Sequence, residues 1–243
     1  MERYDEMTYG ERIADIYDKL YSDYEESAVD LLQELAGRGR VLELGIGTGR
    51  VALPLHHRGV NVTGIDASKA MIEKLWVKSD GADIEVVQGN FVEINLDARF
   101  NLIYIVFNTF FGLQTQEEQV KCFRSVAEHL TQEGVFLIEV FVPDLCRFDN
   151  DQTVRVVHLN EDEVRLDVSR HSPVGQQVSS QHVLLSEKGV RLYPVKLRYA
   201  WPSELDLMAR LAGLRLKHRW GSWDQGEFTG ESGKHISVYG MAD

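Results

Sequence analysis

The 243-residue chain is 44% hydrophobic and 26% charged, which excludes a disordered chain and suits one large globular domain or a core with an elaboration. Lys and Arg total 26 against 38 Asp and Glu, and the net charge of −12 repels phosphate backbones and anionic headgroups, so neither nucleic acid nor a membrane surface is an expected partner. Cys122 and Cys146 show no metal-ligand or redox spacing, the N-terminus "MERYDEMTYGER" is charged rather than basic-then-apolar, and no run approaches the ~20 apolar residues of a membrane span; an unexported, cytoplasmic protein is expected.

Thr8 to Leu35 carry Ile13, Ile16, Tyr17, Leu20, Tyr21, Tyr24, Leu31, Leu32 and Leu35 at helical spacing, which predicts one or two amphipathic helices ended by Gly37 and Gly39. Short apolar runs follow at Val41 to Leu44, Val62 to Ile65, Ile84 to Val87, Leu102 to Phe107 and Val135 to Val142. Amphipathic segments separate them, the alternation of a parallel sheet buried on both faces. Ser68 reads as the N-cap of a helix running to about Lys78, and Thr115 opens another that runs to Leu130. After Pro143 the pattern changes to near-alternating polarity between about Thr153 and Ala200, which predicts an inserted antiparallel sheet. A last helix opens at "PSE" and closes at Gly213, and "LRLKHRW" and "HISVYGM" read as a terminal strand pair. The expected organisation is a core over residues 1–148, a β cap over 149–200, and a closing helix and strand pair over 201–243.

The stretch "VLELGIGTGR", Val41 to Arg50, is a strand running into a glycine turn and a helix start, where backbone N–H groups can approach a ligand. Dinucleotide sites favour GxGxxG, but here Arg50 follows Gly49, and Glu43 would repel a pyrophosphate and attract a cation. Asp66 ends the next strand about 20 residues on, where a carboxylate reaches both hydroxyls of a ribose. These residues point to a cationic, ribose-bearing cofactor.

With "LELGIGTG", "VTGIDAS" and "VVQGNF" in this order, the chain resembles the class I S-adenosylmethionine-dependent methyltransferases over about residues 10 to 142. The resemblance implies a seven-stranded Rossmann-like α/β core with an N-terminal helical flap and the inserted antiparallel cap. It also implies methyl transfer from S-adenosylmethionine to a nitrogen or oxygen of a small molecule by in-line displacement. "YDKLY", the β insertion and "WDQGEFT…SGKHISVYG" are similar to small-molecule methyltransferases, including nucleotide-aminosugar N-methyltransferases. The implied cofactor residues are Glu43, Gly45, Gly47 and Gly49 of the turn, Asp66 and Ala67 at the ribose, and Met71, Asn90 and Phe91 at the adenine. Asn90 stands where the family often has aspartate. A flap over the cofactor would bring Tyr9, Tyr17 and Tyr21 to it, with Phe107 after the fourth strand.

Arg50, read as lying in a helix's first turn, opposes the helix dipole, and the carboxylate of the cofactor is one compensating anion; a solvated arginine is the other reading. Glu139, an acid inside the apolar run "VFLIEVFV", is either paired in the core or aimed into the active site, and the active site is the preferred reading. Glu139, Tyr21 and Asn108 make up the expected catalytic group, with Phe111 and Trp223 on the substrate side and no metal. A homodimer through the β cap is the expected assembly. The competing functions are a nicotinamide-dependent oxidoreductase, which Glu43 and the glycine spacing oppose, and a non-catalytic cofactor-binding module.

Overall fold

The computed structural model describes residues 4–5 and 7–242. The N-terminal helical pattern forms two helices, α1 (Thr8–Leu20) and α2 (Glu26–Ala36), with the chain leaving α1 at Tyr21 and re-entering helix after an extended Glu25. From there strands and helices alternate: β1 (Val41–Leu44), α3 (Ala52–His57), β2 (Val62–Asp66), α4 (Lys69–Trp76), β3 (Glu85–Gln88), β4 (Phe100–Ile105), α5 (Gln116–His129) and β5 (Leu130–Phe141). Local chemistry sets several boundaries. The Ser68 hydroxyl accepts from the Met71 N–H at the start of α4, and Thr115 and Glu118 form a reciprocal capping box on α5. The chain then forms β6 (Gln152–Leu159), β7 (Glu163–Ser172), β8 (Gln177–Ser186), β9 (Gly189–Arg198), α6 (Pro202–Leu211), β10 (Leu214–Trp220) and β11 (Lys234–Met241). Pro202 stands in the first turn of α6, where a missing N–H costs nothing.

The main sheet has the order β10-β11-β5-β4-β1-β2-β3. Strands β1 to β5 pair in parallel, while β11 runs antiparallel to both β5 and β10. One face of this sheet buries Leu42, Leu44, Ile103 and Phe136 against Phe123 of α5 and Met208 of α6. The other buries Val41, Leu102, Tyr104 and Leu137 against Leu32 of α2 and Leu55 of α3. With both faces covered, the strands read as nearly continuous apolar runs. Strand order reverses beside β1, which pairs with β2 on one side and β4 on the other, so a crevice opens beyond the carboxyl ends of β1 and β4.

Strands β6 to β9 form a separate antiparallel sheet in sequence order. It is fastened to the core at its C-terminal end, where the guanidinium of Arg198 donates to Glu204 at 2.8 Å and Gln119 donates to the Arg198 carbonyl at 2.8 Å. Helix α1 spans the gap between this cap and the core. Its Glu11 accepts from the Ser68 hydroxyl at 2.8 Å and the Ala70 N–H at 3.1 Å, its Asp18 accepts from the Thr48 hydroxyl at 2.6 Å, and its Lys19 meets Glu163 of β7 at 3.1 Å. Among the described residues, no helix is long and apolar enough to cross a membrane.

Candidate active site

A cavity of about 820 Å³ occupies the crevice between the core, α1 and the cap. One end is the turn after β1. Gly47 and Gly49 both have positive φ, +55° and +78°, and a Cβ on Gly49 would stand 2.4 Å from Leu75 Cδ1 and 3.2 Å from Leu53. Gly49 is a packing glycine between α3 and α4, and it does not line the cavity. Gly45 and Gly47 do.

Two carboxylates flank this turn. Asp66, at the end of β2, accepts from the Gly47 N–H on one oxygen and from the Ser68 N–H on the other, each at 2.8 Å. Burial nonetheless raises its pKa, against the pull of those two N–H groups. Glu43, at β1, is almost fully buried and accepts from the Tyr104 hydroxyl at 2.8 Å; burial pushes its carboxyl up to about 8, opposed by Tyr104 and by the charge of Arg50. Unused lone pairs on Asp66 suit hydroxyl donors, and Glu43, whose carboxylate burial disfavours, would be driven toward its ionised form by a cation placed beside it.

Ala67, Met71, Asn90 and Phe91 continue the lining on the β2 and β3 side, and Tyr9, Tyr17 and Tyr21 cover it from α1 and its C-terminal end. Tyr17 is pushed up to about 12 by burial, so its phenol is a neutral hydrogen-bonding group. The carboxamide oxygen of Asn90 accepts from the Val92 N–H at 2.9 Å, which commits part of its capacity to its own turn. Arg50 also lines the cavity but lies outside a helix's first turn, because α3 begins only at Ala52 behind an N-cap at Val51. Its guanidinium sits 3.9 Å over the Phe107 ring, and Phe107 meets Tyr21 edge-on at 5.3 Å.

Beyond β4, Phe107 and Asn108 both adopt left-handed conformations, with φ of 57° and 65°. Neither is glycine, so the neighbourhood must hold them there. Glu139 does so. Its carboxylate accepts from the Phe107 N–H, its carbonyl accepts from the Asn108 N–H at 3.3 Å, and Asn108 Oδ1 accepts in turn from the Phe141 N–H at 2.7 Å. Glu139 also meets Lys234 at 3.7 Å and does not line the cavity. The expected catalytic carboxylate is therefore a brace for the turn that presents Phe107 and Asn108, both of which do line it.

The two expected substrate contacts are core residues. Phe111 is fully buried and stacks edge-on against Phe141 at 4.9 Å, because a short 3-10 turn over Thr109–Gly112 rotates it inward. Trp223 packs into the cluster that contains Leu32, Leu102 and Ile236. Sequence reasoning missed the far end of the cavity, which is lined by Gln114, Glu118, Arg147 and the inner cap residues Asp167, Ser180 and His182. Alternation along "VSSQHVLL" groups Val178, Ser180 and His182 on one face; only the tertiary fold shows which face turns inward. Among the described residues, no cluster of three His, Cys, Asp or Glu is placed to hold a metal ion.

A methyltransferase-domain family model matches residues 41–134, from β1 to the start of β5's apolar run. The chain is 38% identical to the CcbJ methyltransferase from Streptomyces caelestis, with 99% of this chain and 100% of that one covered at a TM-score of 0.91. The chain belongs to the S-adenosylmethionine-dependent methyltransferases. It is also 29% identical over 240 residues to the cypemycin N-terminal methyltransferase of a Streptomyces species, covering 96% of this chain and 98% of that one. The fold is shared with S-adenosylmethionine-bound CalS10, an amino pentose methyltransferase from Micromonospora echinaspora, at 18% identity, a TM-score of 0.72 and coverage of 100% and 99%. The methyltransferase has S-adenosylmethionine as its cofactor, and the oxidoreductase alternative is not favoured.

Two predictions follow from the acids of this methyltransferase. Because burial raises the folded-state pKa of Glu43, its contribution to ligand-free stability is fully present below about 4.5 and is lost as pH rises through about 8. A cationic cofactor favours the carboxylate, so binding releases a proton: affinity for S-adenosylmethionine should rise between pH 5.5 and 7 by up to about tenfold per unit. Tyr104→Phe, which removes the bond that favours the carboxylate, should weaken binding at pH 7. Calorimetry in buffers of different ionisation enthalpy reads the released proton directly, and binding without proton release would refute the assignment. For Glu139, Glu139→Gln keeps an oxygen for the Phe107 N–H and should leave the pH profile of turnover unchanged, whereas Glu139→Ala should lower thermal stability by about 1–3 kcal/mol through the orphaned N–H. A pH limb lost in the Gln variant would return Glu139 to the chemistry.

Proposed function

We propose that this methyltransferase methylates an amine nitrogen of a small molecule or short peptide held between α1, the segment after β4 and the inner face of the cap. The observation that carries the reading is the continuity of one cavity from the glycine turn to Asp167 and His182, whose lining away from that turn includes the carboxylates Asp5, Glu118 and Asp167 beside the cations Arg147 and Lys196. Carboxylates in a partly buried cavity attract an ammonium group more than a neutral hydroxyl. The name of one relative, an N-terminal methyltransferase, agrees with a nitrogen acceptor.

In this reading Asp66 takes the ribose hydroxyls on its free lone pairs, Glu43 faces a positive group, and Arg50 with Tyr17 and Tyr21 meets the amino-acid carboxylate. Ala67, Met71, Asn90 and Phe91 flank the adenine. When bound, S-adenosylmethionine supplies an electrophilic methyl group on a sulfonium sulfur. The protein's own work is to hold acceptor and cofactor in near-attack geometry and to exclude water, which α1 does by bridging from α4 to the cap. Tyr21 and Phe107 meet edge-on and both line the cavity.

We also propose that the methyltransferase pairs with a second copy through the cap. The outward side chains of its sheet are aliphatic: Val154, Val156 and Leu159 on β6 and Val190 and Leu192 on β9 are each more than half exposed. A two-fold axis would set this patch against itself and bury it without a second kind of surface. Light scattering should give twice the chain mass for the wild type and a monomer for Val156→Asp, and a monomeric wild type would end this proposal.

The acceptor reading is tested by incubating the protein with methyl-labelled S-adenosylmethionine and a fractionated metabolite extract, followed by mass spectrometry. The expected label lies on nitrogen, in molecules retained by a cation exchanger. Label confined to neutral or acidic molecules, on oxygen, would overturn it.

A further inference from the structure

The inner face of the cap carries a polar row that the cofactor site does not use. Across β7, β8 and β9, Asp167, His182 and Tyr193 stand in register as direct neighbours. One step along, Ser169 and Ser180 share a hydrogen bond at 2.7 Å, and the Ser169 hydroxyl donates to Asp167 at 2.9 Å. That bond holds the Asp167 carboxylate beside the His182 ring. Asp167, Ser180 and His182 all line the cavity, and the His182 ring centroid lies 6.4 Å from that of Tyr9 on α1.

We propose that His182, with Asp167 beside it, is the base that takes the proton from the acceptor ammonium before methylation. This rests on the amine reading above. An ammonium has no lone pair with which to attack, so one proton must leave before a C–N bond can form. His182 meets the requirements of geometry first. It faces the cavity, and among the described residues no hydrogen bond from a protein group is made to either of its ring nitrogens, so both remain available to a ligand. Burial lowers its pKa below the ordinary value, while Asp167 pulls it back up, so the ring is neutral at pH 7 and able to accept. The charged and titratable groups packed around it are Asp167 of β7, Tyr193 of β9 and Tyr9 of α1, with Arg155 of β6 in register beyond Asp167. The Tyr9 phenol is raised far above its usual range by burial and does not compete for the proton.

The balance is simple. The lone pair of a His182 nitrogen takes one proton from R–NH3⁺, giving imidazolium and R–NH2. The amine lone pair then forms the N–C bond as the C–S bond breaks and its electrons pass to sulfur, leaving a neutral thioether and R–NH2–CH3⁺. The imidazolium returns its proton to water. Asp167 is a positioning residue: it stabilises the imidazolium and sets where on the pH scale the ring titrates.

The test measures the initial rate of label transfer from methyl-labelled S-adenosylmethionine to the cation-exchanger-retained fraction of a cell extract, from pH 6 to 10. Wild type should show an ascending limb near or below pH 7. His182→Gln should lose about 10²–10⁴-fold at pH 7 and recover as pH approaches the amine's own pKa. His182→Ala should regain rate with added imidazole. Asp167→Asn, which leaves the ring in place, should shift the limb to lower pH. Affinity for S-adenosylhomocysteine should stay unchanged in all three variants. Equal rates for wild type and His182→Gln in that fraction, or no imidazole response in a His182→Ala protein that still binds S-adenosylhomocysteine, would overturn the role of His182 alone. Label that appears only in unretained molecules would overturn the amine reading and this assignment together.

Discussion

The bonds from the Gly47 and Ser68 N–H groups to the two oxygens of Asp66 are the constraint on which the rest of the site depends. They join the turn after β1 to the cap of α4, and they hold a carboxylate that burial would otherwise disfavour at the switch point of the sheet. Ser68 extends the same connection outward by donating to Glu11, so the helix that covers the cavity is fastened to the residues beside Asp66. Asp18 and Thr48 add a second fastening on the glycine turn itself. Glycine turn, Asp66 and cover are thereby one mechanical unit, which suits a reaction that needs two reactants aligned and dry.

The opposite end is built by different means. The parallel core supplies depth, and its strands are packed on both faces, so the polar side chains they offer the cavity, Glu43 and Asp66, stand at the strand ends by the glycine turn. The antiparallel cap has one face toward the cavity and can alternate polar and apolar residues there, and so β7 and β8 add Asp167, Ser180 and His182 to the groups that Asp5 and Glu118 bring from the core side. The strained turn at Phe107 and Asn108 also lines the cavity. Its left-handed residues are secured by Glu139 and Phe141 of the neighbouring strand, which relates an acid in an apolar strand to the shape of the cavity.

Much of this was legible in the sequence where a short stretch carries its own physical reason. The apolar runs between Val41 and Val142 announced a buried parallel sheet, Ser68, Thr115 and Pro202 marked helix starts, and Glu43, Gly47 and Asp66 pointed to a cationic, ribose-bearing ligand, which only the family resemblance named. Where geometry and expectation part, the cause is shared: orientation is decided by distant residues. Glu139 looked like a candidate base because nothing local reveals that the Phe107 N–H needs an acceptor. Phe111 follows a strand that ends at the crevice, but one 3-10 turn rotates it into the core. Arg50 was placed in a helix that begins two residues later. His182 sits in a strand whose alternation was plain, yet which of its faces meets the cavity depends on how α1 and the cap dock.

A crystal structure of the protein with S-adenosylhomocysteine tests the central claim most directly. The account predicts the nucleoside along the turn from Gly45 to Gly47, with both ribose hydroxyls on Asp66 and the sulfur pointing past Phe107 toward the inner face of β8. Density for the ligand elsewhere in the cavity, or a sulfur turned away from Asp167 and His182, would contradict it.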